Sequence, residues 1–188
     1  LFSTPVGVEP EGIGISPDGA KVYVTAETSN TVSVLDAKTG RVLHTVPVGE
    51  NPRTIAFTPD GRRAWVSAEA GGNVTVIDVA TDSVLQQFTI RDGKTKPVRI
   101  AFSPDGRLAY VTEGAAASVS VIDVATSKVI DTIPVGRRPW GIALSPDGRR
   151  LYTADGRSNT VSVIDTATRK VVTAIAVGER PNDLLYIP

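Results

Sequence analysis

The chain has 188 residues, enough for one large domain or two small ones, and its 20 basic and 20 acidic residues cancel. Balanced charge argues against a nucleic-acid partner held by net field, and no apolar run approaches the length of a membrane span. The absence of cysteine removes disulfides, thiolate metal sites and cysteine nucleophiles together.

Residues 1–9 read as the end of a strand, because LFSTPVGV resembles LHTVPVGE at 43–50 and IDTIPVGR at 130–137. A unit then opens at Pro10 and reopens at Pro52, Pro97, Pro139 and Pro181, with spacings of 42, 45, 42 and 42 residues. A period of that size marks a repeat architecture. The units at 10–51, 52–96, 97–138 and 139–180 each hold four short apolar stretches. In the second unit these are RTIAFT, RAWVSA, NVTVID and SVLQQFTI, rich in the β-branched and aromatic residues that suit a pleated surface. Residues 181–188 repeat only the first stretch.

The links have turn chemistry. SPDG at 16–19, 103–106 and 145–148, and TPDG at 58–61, place proline, aspartate and glycine where a tight hairpin needs a preset φ and then a positive one. Asp36, Asp78, Asp123 and Asp165 stand three residues before Thr39, Thr81, Thr126 and Thr168, spaced to bond the amides of the next turn. Each unit is therefore predicted to be a meander of four antiparallel strands. One such sheet has two apolar faces. Radial stacking around an axis buries both and demands small residues on the innermost strand, which Gly12, Gly14, Ala56, Ala101, Gly141 and Ala143 supply. An all-β propeller of four full blades plus a partial one satisfies these constraints.

KVYVTAETSNTVSVLD followed by VGENPRTIAFTPDG resembles the YVTN family of β-propeller repeats over almost the whole chain. The family's namesake asparagine is replaced by Ala26, Ala68, Glu113 and Asp155, so no role of it carries over. The resemblance implies a seven-bladed ring. Residues 1–9 would then be the outer strand of a preceding blade and 181–188 the inner strand of a closing one. The ring would be completed by about two to three upstream blades or by another chain. It also implies export to the periplasm or cell surface. GRRPWGIALSPDGRRLYTADG is similar to the group that accompanies pyrroloquinoline-quinone-dependent oxidation, which implies an accessory role without holding the quinone.

Loops on a rigid scaffold are where function concentrates. The positions after each opening proline escape the repeat: Glu11, Arg53, Val98 with Arg99, Trp140, and Asn182 with Asp183. They are candidates for binding a protein partner or small ligand, or plain solvated loop residues. Trp140 suits stacking at a channel mouth or capping of a blade core. The second links carry Glu27, Glu69, Glu113 and Asp155, facing Arg53, Arg99, Arg137, Arg138 and Arg180. No cofactor is predicted, though these acids could hold a divalent cation or make salt bridges between blades. The insertion RDGKTKP adds a basic bump at Arg91, Lys94 and Lys96. His44 is the sole histidine and lies on an outer strand, which makes a Ser-His-Asp triad improbable. No catalytic residue stands out. The expectation is a non-enzymatic scaffold, with a cation-dependent lactonase- or lyase-like enzyme as the alternative.

Overall fold

A computed structural model describes residues 3–187. The chain is all-β and divides into two compact units, with the sequence boundary between Gly93 and Lys94. Unit 1 contains two sheets. The first is β1 (Pro10–Ile15), β2 (Lys21–Ala26), β3 (Thr31–Asp36) and β4 (Val42–Pro47). The second is β5 (Pro52–Phe57), β6 (Arg63–Ala68), β7 (Asn73–Asp78) and β8 (Val84–Thr89). Unit 2 repeats the plan with β9 (Pro97–Phe102), β10 (Leu108–Glu113), β11 (Ser118–Asp123) and β12 (Lys128–Pro134). Its second sheet is β13 (Pro139–Leu144), β14 (Arg150–Asp155), β15 (Thr160–Asp165) and β16 (Lys170–Ala176). Every sheet is a four-stranded antiparallel meander in chain order, the architecture of a propeller blade.

The turns close as their residues dictate. In the first SPDG turn the Gly19 amide donates to the Ser16 carbonyl at 2.7 Å, with Gly19 at φ 71°. The Ser16 hydroxyl donates to Asp18 Oδ1 at 2.6 Å, and that oxygen also accepts from the Ala20 amide at 3.0 Å. Asp36 Oδ1 accepts from both the amide and the hydroxyl of Thr39, each at 2.7 Å.

The middle strands of the blades are buried over successive residues rather than on one face. Such a strand is covered on both sides, which explains its unbroken Val/Ile composition. In unit 1, Tyr23, Val32, Val34 and Val46 of one sheet pack with Ile55, Ala64, Val66 and Ile77 of the other. In unit 2, Tyr110, Val119, Val121 and Ile133 pack with Leu151 and Ile164. Each aliphatic chain so buried contributes about 1.5–3 kcal/mol.

The innermost strands share a bulge. Pro52 faces Ala68 and Thr54 faces Ser67, so Arg53 has no partner across the ladder. Pro139 faces Asp155 and Gly141 faces Ala154, which leaves Trp140 in the same position. The corresponding irregularities span Glu11 and Gly12 in β1 and Val98 and Arg99 in β9. A bulge re-aims the extra side chain. In β5 and β13 it offsets Arg53 and Trp140 from the ladder. The residues ahead of the prolines, Glu9, Asn51, Lys96, Arg138 and Arg180, all adopt positive φ between 51° and 60°.

The two terminal segments carry no strand among the described residues. Of the predicted outer strand 1–9, Leu1 and Phe2 lie outside the described residues, and 3–9 form no strand. Of the predicted inner strand 181–188, Pro188 lies outside and 181–187 form none. The reason is that a strand is defined by its ladder partner, and these segments have none among the described residues. Residues Asn182 and Asp183 nevertheless run beside β13: a Cβ on Gly141 would meet Asp183 Cα at 2.7 Å.

Candidate functional site

In unit 1 the residues singled out after the prolines and those after strand two converge. Arg53, turned outward by its bulge, donates through Nε to Glu69 Oε2 at 2.6 Å and through Nη1 to Glu27 Oε2 at 2.7 Å. Its Nη1 also lies 3.2 Å from Glu11 Oε1. Asn51 Nδ2 donates to Glu27 Oε1 at 2.6 Å. Burial works against the guanidinium charge. The Glu69 hydrogen bond and the charges of Glu69, Glu27 and Glu11 outweigh it and raise the Arg53 pKa. Three carboxylates of unit 1 thus meet on one guanidinium.

The acids of unit 2 behave differently. Glu113 ends β10 and Asp155 ends β14, in the register position of Ala26 and Ala68, whereas Glu27 and Glu69 stand one residue further on. Successive residues of a strand point to opposite faces, so the four acids are not equivalent positions of one ring. Glu113 and Asp155 are fully buried. Glu113 accepts from the hydroxyls of Ser118 at 2.6 Å and Ser120 at 2.9 Å. Asp155 accepts from Thr153 at 2.8 Å, Thr160 at 3.1 Å and Ser162 at 2.6 Å. Among the described residues no group of three or more histidine, cysteine, aspartate or glutamate side chains is arranged to hold a metal ion.

One recess of unit 2 is a cavity of about 530 Å³ between Arg138, Trp140, Gly156, Arg157, Arg180, Pro181 and Asn182. Three arginines, an indole and a carboxamide face it, and among the described residues no side-chain carboxylate does. Trp140 is half-buried, with the Arg138 guanidinium 5.1 Å above its ring. That stacking orients a cation at an apolar face, a contact worth roughly 0.5–2 kcal/mol. The Gly156 amide donates to the Arg138 carbonyl and the Arg157 amide to the Arg137 carbonyl, both at 3.0 Å, so the two loops that carry the arginines are tied together. Arg99 Nη2 reaches Asp183 Oδ2 at 3.3 Å beside this recess.

Two groupings thus emerge from the sequence candidates: Glu11, Glu27, Arg53 and Glu69 in unit 1, and Trp140 with Asn182 in unit 2, flanked by the Arg99–Asp183 pair. Sequence reasoning overlooked Arg157. It stands in a link whose acids drew notice, and its signal was only its place beside Asp155 in the one second link that carries an arginine. His44 does approach an acid, 3.7 Å from Asp82, at the far end of the blade edges.

A comparison with curated protein sequences finds no match. Among solved structures the chain is similar to a chain of hydrazine synthase from Kuenenia stuttgartiensis, at TM-score 0.83 and 28% identity over 94% of this chain and 52% of that one. It is similar to a functionally unknown protein from Desulfotomaculum acetoxidans at TM-score 0.82 and 19% identity, covering 96% of this chain and 60% of that one. It is also similar to a candidate 6-phosphogluconolactonase from Bacteroides fragilis at TM-score 0.81 and 20% identity, covering 95% of this chain and 58% of that one. The chain thus spans between about half and three-fifths of the length of these relatives. Residues 39–176 match the family described as lactonase, 7-bladed beta-propeller. The match covers well over half of the chain, and the chain belongs to the lactonase, 7-bladed β-propeller family.

Proposed function

We propose that this chain is part of a lactonase that opens a cyclic ester of an anionic, oxygen-rich small molecule at the arginine-lined cavity of unit 2. The observation that carries the reading is the composition of that cavity: Arg138, Arg157 and Arg180 with Trp140 and Asn182, and no acid among them. Arginine recognises carboxylate and phosphate oxygens through paired N–H groups, and an indole face suits the C–H side of a sugar ring. Family membership supports ester hydrolysis over the exported scaffold expected from the sequence.

The chemistry asks for two contributions. A water oxygen attacks the lactone carbonyl carbon, and the charge that gathers on the carbonyl oxygen is stabilised by a fixed guanidinium. As the ring C–O bond breaks, the ring oxygen takes up a proton and leaves as a hydroxyl. In this reading the attacking water gives its proton to solvent, and the leaving ring oxygen takes one back from solvent.

The test is hydrolysis of 6-phosphoglucono-δ-lactone and glucono-δ-lactone by the full-length protein, followed by base consumption above the spontaneous rate. Trp140→Ala and Arg180→Ala are each expected to lower kcat/KM by about tenfold or more, and Arg41→Ala, on an exposed turn, to leave it unchanged. No acceleration by a folded protein that still binds these lactones or their hydroxy acids would return the reading to a binding scaffold.

A further inference from the structure

The hairpin between the second and third strands carries a Ser-Asn pair in two of the four blades, Ser29–Asn30 in unit 1 and Ser158–Asn159 in unit 2. The same places hold Gly71–Gly72 and Ala116–Ala117 in the other two. In every blade the second residue of the pair takes positive φ: 55° at Asn30, 62° at Gly72, 51° at Ala117 and 57° at Asn159. Its carbonyl accepts from an amide of the link that follows the blade, from Val48, Ile90, Val135 and Val177 respectively, each at 3.0 Å. That backbone tie is common to all four blades and needs no side chain.

The Ser-Asn pairs add a second tie. Asn159 Oδ1 accepts from the Arg180 amide at 3.0 Å, and Asn30 Oδ1 from the Asn51 amide at 2.8 Å. Ser158 Oγ accepts from the Arg137 amide and Ser29 Oγ from the Val8 amide, both at 2.8 Å. One hairpin thus grips the link before its own blade with serine and the link after it with asparagine. Glycine and alanine offer no side-chain acceptor for this. In unit 2 the two gripped links lead to Arg138 and Arg180, both in the lining of the arginine-lined cavity. Arg180 stands at φ 51° directly before Pro181. A residue before proline favours extended backbone, and positive φ is uncommon for any residue with a Cβ. Released, Arg180 relaxes toward the extended region and leaves the cavity wall.

We propose that Asn159 is a positioning residue: its side chain holds Arg180 in the left-handed conformation that keeps it on the cavity wall, and so sets the affinity of the site for an anionic ligand. The inference rests on the lactonase reading only in taking this cavity as the substrate site. Asn30 makes the same bond in unit 1, away from the cavity, and serves as its control.

The experiment pairs amide exchange with binding on the full-length protein. Asn159→Gly and Asn30→Gly each remove the acceptor and keep the positive φ, as Gly72 does in the native fold. Exchange of the Arg180 amide, followed by NMR, should quicken about three- to tenfold in Asn159→Gly, the range one lost hydrogen bond spans. Asn159→Asp keeps an acceptor and should retain the native rate. Asn30→Gly should quicken the Asn51 amide and leave that of Arg180 alone. In calorimetric titration with 6-phosphogluconate, the hydroxy acid of the phosphorylated lactone, Asn159→Gly should bind about three- to tenfold more weakly and Asn30→Gly as the native protein does. Arg180→Ala also weakens binding, and Asn159→Gly added to it has no further effect. A native exchange rate at Arg180 in Asn159→Gly overturns the grip. Equal weakening by both glycine variants, additivity with Arg180→Ala, or an unchanged affinity overturns the positioning role. Altered affinity without lactone hydrolysis removes the reaction and keeps the role of Asn159. Hydrolysis with unaltered affinity removes only that role, and a native protein that neither binds 6-phosphogluconate nor hydrolyses the lactones overturns both.

Discussion

Arg53 Nε and Glu69 Oε2 meet at 2.6 Å between the bulge of one inner strand and the link that follows the next strand of the same blade. Glu27 and Glu11, from the neighbouring blade of unit 1, close on the same guanidinium. The side chains are 19% exposed for Arg53 and 6% for Glu69, so this is a largely dehydrated contact. Three carboxylates around one cation tie the two blades of unit 1 together.

Arg53→Met removes the cation and leaves Glu11, Glu27 and Glu69 crowded. Breaking a buried ion pair by deleting one partner is costly, and partial exposure of Glu11 and Glu27 moderates it, giving a loss of about 2–4 kcal/mol. The same variant should gain a calcium response: calcium is expected to raise its melting temperature and to leave that of the native protein unchanged. Thermal melts of both with and without calcium decide it. A native protein stabilised by calcium, with that effect removed by Glu27→Gln, would place a metal where Arg53 is assigned.

The turn aspartates make the fold sensitive to acid. The Ser16 hydroxyl and Ala20 amide hold the Asp18 carboxyl below its usual range, and Asp60, Asp105 and Asp147 repeat the arrangement. The Thr39 hydroxyl and amide do the same for Asp36, as do the matching threonines for Asp78, Asp123 and Asp165. Each folded value lies below the unfolded one of about 3.9. The stabilisation is therefore complete above about pH 4 and is lost as pH falls through the folded values. Melting temperature should stay level from pH 7 to about pH 5 and drop below pH 4. Asn at all four SPDG/TPDG aspartates should shrink the difference between pH 7 and pH 3.

The repeat made most of the fold legible. Proline spacing marked where the sheets begin, and SPDG and ID-x-x-T located turns that the hydrogen bonds bear out. The same periodicity also picked out Arg53, Trp140 and Asn182 by their departure from it. What it could not supply was orientation. Glu27 and Glu113 looked alike as one acid per link, yet a single step along the pleat sends one to Arg53 and buries the other beside Ser118 and Ser120. Asp82 was missed for a related reason. A positive-φ residue in a turn reads as filler until another blade is laid against it.

Asp82 is in fact a buried anchor. Tyr23 donates its hydroxyl to Asp82 Oδ1 at 2.5 Å, and Lys21 Nζ contacts both carboxylate oxygens at 2.8–2.9 Å. Burial and this bond together push the Tyr23 hydroxyl well above the usual tyrosine range. Asp82→Ala strands a lysine and a phenol at the blade interface and should cost about 3 kcal/mol. Asp82→Asn keeps an acceptor and tolerates the positive φ, so its cost falls to about 1–2 kcal/mol. His44→Ala should cost no more than about 0.5 kcal/mol, because His44 is mostly exposed and 3.7 Å away. Urea unfolding of the three variants ranks them; equal losses for Asp82→Ala and His44→Ala would remove the anchor.

Gly136 and Gly178 occupy the same place in successive repeats, which makes them a controlled pair. A Cβ on Gly136 would lie 2.5 Å from Asp155 Cβ and Oδ2, whereas one on Gly178 meets nothing within 4 Å. Asp155 cannot yield, since three hydroxyls hold its carboxylate. Gly136→Ala should therefore destabilise the 188-residue chain by about 2 kcal/mol or more, by overpacking. Gly178→Ala should stay within about 0.5 kcal/mol of the native value, as surface substitutions do. Neither glycine has a positive φ, so backbone strain does not confuse the comparison. Denaturant midpoints measure both. If Gly136→Ala is neutral, the packing of that link onto Asp155 is wrong, and with it the placement of Arg138, two residues further on, in the lining of the arginine-lined cavity.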